Sequence, residues 1–368
     1  MHTLTDDLQQ KAQQGDPAAQ FDLAERYADG DGVLEDLAEA ANWYRHAAEA
    51  GHARASFMLG GLYEQGYGVA QDEVEALRWY RRAAEAGEAG AQTVLGLILL
   101  PQDEVEAARW LERAVEQGHT LAQVKLADLH EAGQGVEQDE RRAIELYRRA
   151  ADAGDPAAAE RLGFAYLGGP GVEQDPAAGV RWLEVAAEGG APNAQMLIGL
   201  MHAAGQWMPF NEKQAAKWFR HAAEQGNAEA QYRLAAAYHE GKGMKSNELK
   251  AARWFRAAAE QGHAEAQYRL GCLLGYGHTV PRDKAEAARW YRRAAEQGLV
   301  EAQARLAACC ALGEGTSFDR VEAYMWAKRA EADEPSMTEL CSQLIGWMPA
   351  EDVQRAEELA RQWRPRRE

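Results

Sequence analysis

Eight of the eleven tryptophans in this 368-residue chain fall on one ladder: Trp43, Trp79, Trp110, Trp182, Trp218, Trp254, Trp290 and Trp326, with Leu146 filling the gap. The steps between rungs are 36, 31, 36, 36, 36, 36, 36 and 36 residues. A period of that length marks a supersecondary unit that cannot bury its apolar face alone and must stack on its neighbours. It displaces the count of about two or three domains that length alone suggests.

Three further columns keep the same spacing. Asp or Asn precedes each rung, as at Asp36, Asp72, Asn211 and Asp283, and several have Glu three residues on (Asp72/Glu75, Asp103/Glu106, Asp283/Glu286, Asp319/Glu322). This is the capping-box pattern of a helix start. Each rung is followed by a glycine such as Gly51, Gly87 or Gly262, which suits a left-handed helix stop. Ahead of this second helix, B, lies a first helix, A, of the pattern Ala-Gln-x-x-Leu-Gly/Ala-x-x-Tyr. Ala230, Gln231, Leu234, Ala235 and Tyr238 are one instance. Its apolar residues share one helical face, and it closes on a Gly-x-Gly turn, for example Gly66/Gly68 or Gly241/Gly243. Small residues in A let backbones approach, and the B-helix Trp/Tyr pair is expected to fill the gap on the next unit.

These columns resemble the Sel1-like repeat family, a relative of the tetratricopeptide repeats, from about Gln20 to Glu331. The resemblance implies an all-α fold: a right-handed α/α superhelix, or solenoid, of about nine helical hairpins with terminal capping helices. It also implies an adaptor or scaffold that binds other proteins. The expected organisation is a capping helix over 1–16, nine repeats over 17–334, and capping helices with a basic tail over 335–368. Val353, Ala356, Leu359, Ala360 and Trp363 are expected on one sealing face of the last helix.

Two repeats depart from the pattern. The third is five residues short, with Leu99-Leu100-Pro101-Gln102 at its turn, which predicts a clipped helix or turn and a local bend. The sixth reads Gly205-Gln206-Trp207-Met208-Pro209-Phe210, where other turns are polar. Trp207 and Phe210 therefore form a candidate interaction patch, unless they fold back over the neighbouring turn.

Composition narrows the function. A net charge of −18 disfavours nucleic acid and anionic membrane surfaces as partners. No apolar stretch approaches the roughly 18 residues of a membrane span, and the first residues carry no signal-peptide pattern, so a cytoplasmic location is expected. Cys272, Cys309, Cys310 and Cys341 lack metal-ligand spacing and read as small core residues. His52, His119 and His263 fall beside helix starts, while His130 and His202 replace the A-helix Tyr and read as buried substitutes. The glycine turns follow helices rather than strands, so they are not phosphate loops. No cofactor, metal or catalytic constellation is expected, and the chain reads as a non-enzyme.

A partner would lie along the A helices. Two columns there are candidates, two and three residues past the alanine, and they supply Arg161, Tyr232, Arg233, Tyr268, Arg269 and Arg305. Arg beside Tyr is the composition of binding hot spots, and Arg grips carboxylates in a bidentate fork. The preferred ligand is an acidic peptide or a C-terminal carboxylate held by a monomeric scaffold. The competing account is that these arginines pair with neighbouring Glu and merely solvate the face. The B-helix arginines, such as Arg81/Arg82 and Arg292/Arg293, read as an outer surface paired at helical spacing. Alternatives in function are a secreted or regulatory effector that binds a host or signalling protein and, less favoured, a hydrolase of cell-wall or β-lactam-type substrates.

Overall fold

The computed structural model describes residues 4–277 and 280–365, and among these every regular element is an α-helix. The chain divides into two compact units, Met1–Trp182 and Leu183–Glu368. The first opens with α1 (Leu4–Gln13) and continues in hairpins: α2 (Pro17–Asp29) with α3 (Leu37–Glu49), α4 (Ala53–Gln65) with α5 (Glu73–Glu85), α6 (Ala89–Leu99) with α7 (Glu104–Glu116), and α8 (Thr120–Ala132) with α9 (Glu140–Asp152). Then come α10 (Pro156–Gly168) and α11 (Pro176–Glu188), the latter crossing the boundary. The second unit holds the hairpins α12 (Pro192–Ala204) with α13 (Glu212–Glu224), α14 (Ala228–Glu240) with α15 (Glu248–Glu260), α16 (Ala264–Tyr276) with α17 (Lys284–Glu296), and α18 (Val300–Leu312) with α19 (Arg320–Ala330). It closes with α20 (Ser336–Trp347) and α21 (Ala350–Gln362).

Helix starts follow the sequence columns. The Asp72 carboxylate accepts from the amides of Val74 and Glu75, and the Asn247 side chain accepts from that of Lys250. The glutamates, however, do not complete a capping box. The cap amide is already bound by the end of the preceding A helix: Asp72 N donates to Tyr63 O at 2.9 Å and Asp283 N to Leu274 O at 3.0 Å. Glu106, Glu286 and Glu322 instead accept from the indole Nε1 of Trp110, Trp290 and Trp326, one turn on, at 3.2–3.3 Å.

In most repeats the residue after the rung lies deeper than the rung itself. Tyr44, Tyr80, Leu111, Tyr147, Leu183, Phe219, Phe255 and Tyr291 are all buried, whereas Trp43, Trp182, Trp218 and Trp254 are only half-buried. This ring settles on its own hairpin, not on the next one as expected. A Cβ added to Gly60 of α4 would sit 2.7 Å from the Tyr80 ring, and one on Gly199 of α12 would sit 2.6 Å from that of Phe219. The small A-helix residue is therefore the floor on which the B-helix ring of the same repeat lies.

Neighbouring hairpins are joined by a buried glutamine. Gln231 Nε2 donates to Ala223 O of the preceding B helix at 3.2 Å, and its Oε1 accepts from Gln261 Nε2 of the following one at 2.8 Å. Gln195 and Gln267 repeat both bonds. At the N-terminus Gln20 makes the first of them to Ala12 O, so α1 stands where a B helix would.

Arginines add a second layer of links. Arg45 reaches the hydroxyl of Tyr63 at 3.0 Å, Arg148 that of Tyr166 and Arg220 that of Tyr238. Arg256 and Arg292 pair with Glu286 and Glu322, thirty residues on. Arg82 and Arg149 donate to the carbonyls of Glu49 and Val115 in the preceding B helices, while Arg82 and Arg293 also lie over Trp79 and Trp290 of their own helices. The expected pairing within one helix is the lesser part of their work.

The turns explain their second glycine. A Cβ on Gly243 (φ 70°) would land on the Glu212 carbonyl in the first turn of the preceding B helix, and Gly68 and Gly135 meet Leu37 and Glu104 in the same way. In the third repeat the missing residues come from two places. α6 has 11 residues where α4 has 13, and only residues 100–103 join it to α7. Leu95 and Leu99 remain buried, so the hairpin still closes.

Two local expectations change. His130 and His202 are half-buried rather than core, because their Nδ1 atoms bond the loop carbonyls of Glu137 and Pro209. Leu359 is exposed and leaves the face formed by the buried Ala356 and Ala360. Trp363 meets Trp326 edge-on at 5.8 Å, with Arg329 over its ring. Residues 366–368 of the basic tail lie outside the described residues.

Candidate interaction grooves

The first A-helix column is largely taken up by packing. Phe21 stacks on His52 and Tyr232 on His263, each at 4.6 Å between ring centroids, and Tyr268 leans on Tyr291. Tyr232 and Tyr268 are accordingly half-buried. His263 closes the following A helix as its cap. Its Nδ1 accepts from Ala266 N, which leaves Nε2–H to donate to Glu229 at 2.8 Å. Glu229 also accepts from Arg233 Nε at 2.5 Å. The His263 and Arg233 bonds together pull the Glu229 carboxyl down to about 2, against the opposing effect of burial.

The arginines of the second column differ among themselves. Arg161 lies 3.8 Å from Glu131 and 3.9 Å from Asp128, and Arg233 is held by Glu229. Arg269 is exposed and makes no hydrogen bond or ion pair with any described residue. Arg305 Nη2 donates to the Tyr276 hydroxyl at 2.9 Å. Such half-exposed pairs are worth about 0–1 kcal/mol each, so an incoming carboxylate can displace them.

Three of these arginines line grooves of one design, formed by an A helix, its B helix and the next A helix. The first, about 210 Å³, lies against Glu131, Glu140, Ala143, Tyr147, Arg161 and Phe164. The second, about 420 Å³, has Ala203, Glu212, Ala215, Phe219, Arg233 and Ala236 at the same places. The third, about 210 Å³, has Gly275, Lys284, Ala287, Tyr291, Arg305 and Ala308. Corresponding residues are 72 positions apart, two repeats each time. The structure thus brings Phe210, Tyr232 and Arg233 around the second groove and leaves Arg305 in the third. Trp207, 51% exposed, and Arg269 line none of the three.

Their charges are not alike. Arg161 faces Glu131 and Glu140 in the first groove, and Arg233 and Lys242 face Glu212 and Glu240 in the second. Arg282, Lys284 and Arg305 face Glu314 alone in the third. Sequence reasoning confined to the A helices missed Lys242, Arg282 and Lys284. The signal was present, because the first residue of the B helices is Glu at 73, 104, 140, 212 and 248 and becomes Lys at 284.

The cysteines are free thiols, of which Cys310 and Cys341 are buried and Cys272 and Cys309 half-buried, less enclosed than a core reading implies. Burial pushes the Cys310 thiol up to about 12 and Cys341 to about 11, away from the nucleophilic thiolate. Among the described residues no group of three or more His, Cys, Asp or Glu is placed to hold a metal ion, and no helix is long and apolar enough to cross a membrane.

The repeated hairpin, its glutamine link and its glycine floor define an α-solenoid of stacked helical hairpins. The Sel1 repeat model matches nine times, at residues 17–52, 53–88, 95–119, 120–155, 156–190, 192–227, 228–263, 264–299 and 300–332, and the chain belongs to the Sel1 repeat family. Proteins of this class are generally non-catalytic and work through protein–protein interaction. The structure is similar to that of a protective antigen present in uropathogenic Escherichia coli strains, which displays the same repeat fold. That match has 29% identity and a TM-score of 0.66, and covers 98% of this chain and 94% of that one. It is also similar to a Sel1 repeat protein from Oxalobacter formigenes, with 32% identity, a TM-score of 0.57, and 82% and 89% of the two chains covered. No curated protein is similar enough to count as a relative.

Proposed function

We propose that this protein is a non-catalytic scaffold that holds an acidic segment of another protein in the grooves between its hairpins. The observation that carries the reading is the recurrence of one groove, with an arginine at its wall, at steps of 72 residues through Arg161, Arg233 and Arg305. A repeated pocket suits an extended polymer better than a single small molecule, because an extended chain can engage several equivalent sites. In this reading the protein acts as a monomer in the cytoplasm, without nucleic acid, and residues 1–16 and 335–368 serve as caps for the repeats over 17–334. Trp207 and Arg269 contribute outside the three grooves.

The test is affinity capture from the protein's own host cells, comparing the unaltered chain with Arg161→Glu/Arg233→Glu/Arg305→Glu. A discrete protein retained by the first and lost by the second, at equal helical circular dichroism, supports the reading. Equal retention by both overturns it. A second reading, an exported effector that uses the same grooves on a host protein, is favoured by the similarity to the E. coli protective antigen. A translocation reporter fused to the chain separates the two.

A further inference from the structure

We infer that the groove between α16, α17 and α18 is the primary anchor, and that its occupant is an internal segment carrying two side-chain carboxylates beside a bulky apolar residue. The inference rests on the scaffold reading above and names the partner chemistry of one of its grooves.

Charge complementarity singles this groove out. The chain carries 18 more acidic than basic side chains, yet Arg282, Lys284 and Arg305 converge here against Glu314 alone. In the equivalent grooves the cations are matched or outnumbered. Lys284 is occupied by Glu314, 2.7 Å away. The two guanidinium groups are the ones with capacity left. Arg282 uses its Nε on the Gly275 carbonyl at 2.9 Å, and Arg305 uses Nη2 on the Tyr276 hydroxyl. A guanidinium offers five N–H donors in a planar fork, so each of the two keeps donors for an incoming group. Two forks on two elements, the loop before α17 and the face of α18, match two carboxylates. An acidic stretch supplies two, and a single chain terminus does not.

The apolar requirement comes from the rim. Tyr276 is 55% exposed and Leu312 is 70% exposed, and both line this groove beside Ala287, Ala308 and Cys309. The equivalents of Leu312 in the other grooves are Gly168 and Glu240, so the paired apolar rim belongs to this groove. A bulky side chain laid between Tyr276 and Leu312 would cover surface that otherwise stays wet, next to the charges that fix its register.

The experiment uses the full chain as bait for a displayed library of random internal dodecapeptides, selected in parallel against Arg305→Glu, Arg282→Glu and the charge-matched control Arg109→Glu. Arg109 is exposed on α7 and is not among the residues that line this groove. The expected result is enrichment of peptides with two Asp or Glu flanking Leu, Phe, Tyr or Trp. Enrichment should persist with Arg109→Glu and fall at least tenfold with Arg305→Glu and with Arg282→Glu, at unchanged helical content and melting temperature. Acidic peptides selected equally by Arg305→Glu and Arg282→Glu overturn this inference and leave the scaffold reading standing. Enriched peptides without acidic residues overturn it as well. No peptide enriched by the unaltered chain overturns both.

Discussion

Trp207 and Gly243 occupy the same turn position one repeat apart and share a left-handed backbone, with φ of 61° and 70°. Glycine adopts that conformation freely, whereas a bulky side chain there costs roughly 1–2 kcal/mol. Trp207 is 51% exposed, so little burial offsets the strain. Trp207→Gly is therefore expected to stabilise the second unit by about 0.5–1 kcal/mol, after glycine's own backbone entropy of about 0.5–1 kcal/mol is set against the relief. Gly243→Ala should do the opposite by about 2 kcal/mol or more, because its Cβ would strike the Glu212 carbonyl. Urea midpoints of the two variants check both signs. A Trp207→Gly variant less stable than the parent would mean that the indole packs more than its exposure indicates.

The Gln231–Gln261 bond predicts an energetic coupling between adjacent hairpins. Removing Gln261 strands the amide oxygen of the buried Gln231, and removing Gln231 also takes away its bond to Ala223 O, each at a cost of about 1–3 kcal/mol. Gln231→Ala and Gln261→Ala should each destabilise by that order, and the double variant by clearly less than their sum. A double-mutant cycle in urea measures the difference, expected near 1 kcal/mol. Strict additivity would show that the two amides do not sense one another.

The period, the helix starts and the glycine stops were legible in the sequence because each is a local backbone requirement restated every 36 residues. Which large residue lies deepest was not legible, since Trp254 and Phe255 are adjacent and both aromatic. Only the position of the glycine or alanine opposite decides that Phe255 goes inward and Trp254 stays half-buried. The same blindness hid the third groove. Arg282, Lys284 and Arg305 come from a loop, a helix start and the next A helix, and only packing brings them to one wall. Phe255→Ala should thus cost about 3–5 kcal/mol, as for a core aromatic, and Trp254→Ala about half that or less. Thermal or urea unfolding of the pair decides which column carries the stack. A larger loss at Trp254 would restore the tryptophan ladder as the principal core.

Glu229 links two successive A helices through its hydrogen bond from His263 and also accepts from Arg233 of its own helix, and this gives the last prediction a direction. The folded-state value of Glu229, about 2, lies below its ordinary 4.5. A depressed carboxylate contributes stability that is present above its unfolded-state value and is lost as pH falls towards the folded one. The loss should therefore run from about pH 4.5 down to about pH 2. Each pH unit between the two values corresponds to about 1.4 kcal/mol, but Glu229 is only half shielded from water, so solvent screening reduces its contribution at neutral pH to about 1–2 kcal/mol. Glu229→Gln keeps the shape and removes the charge. It should be less stable than the parent at pH 7 by that amount, with the two stability curves converging as pH approaches 2. Parallel curves across that window would show that the carboxylate is not held as the His263 and Arg233 bonds require.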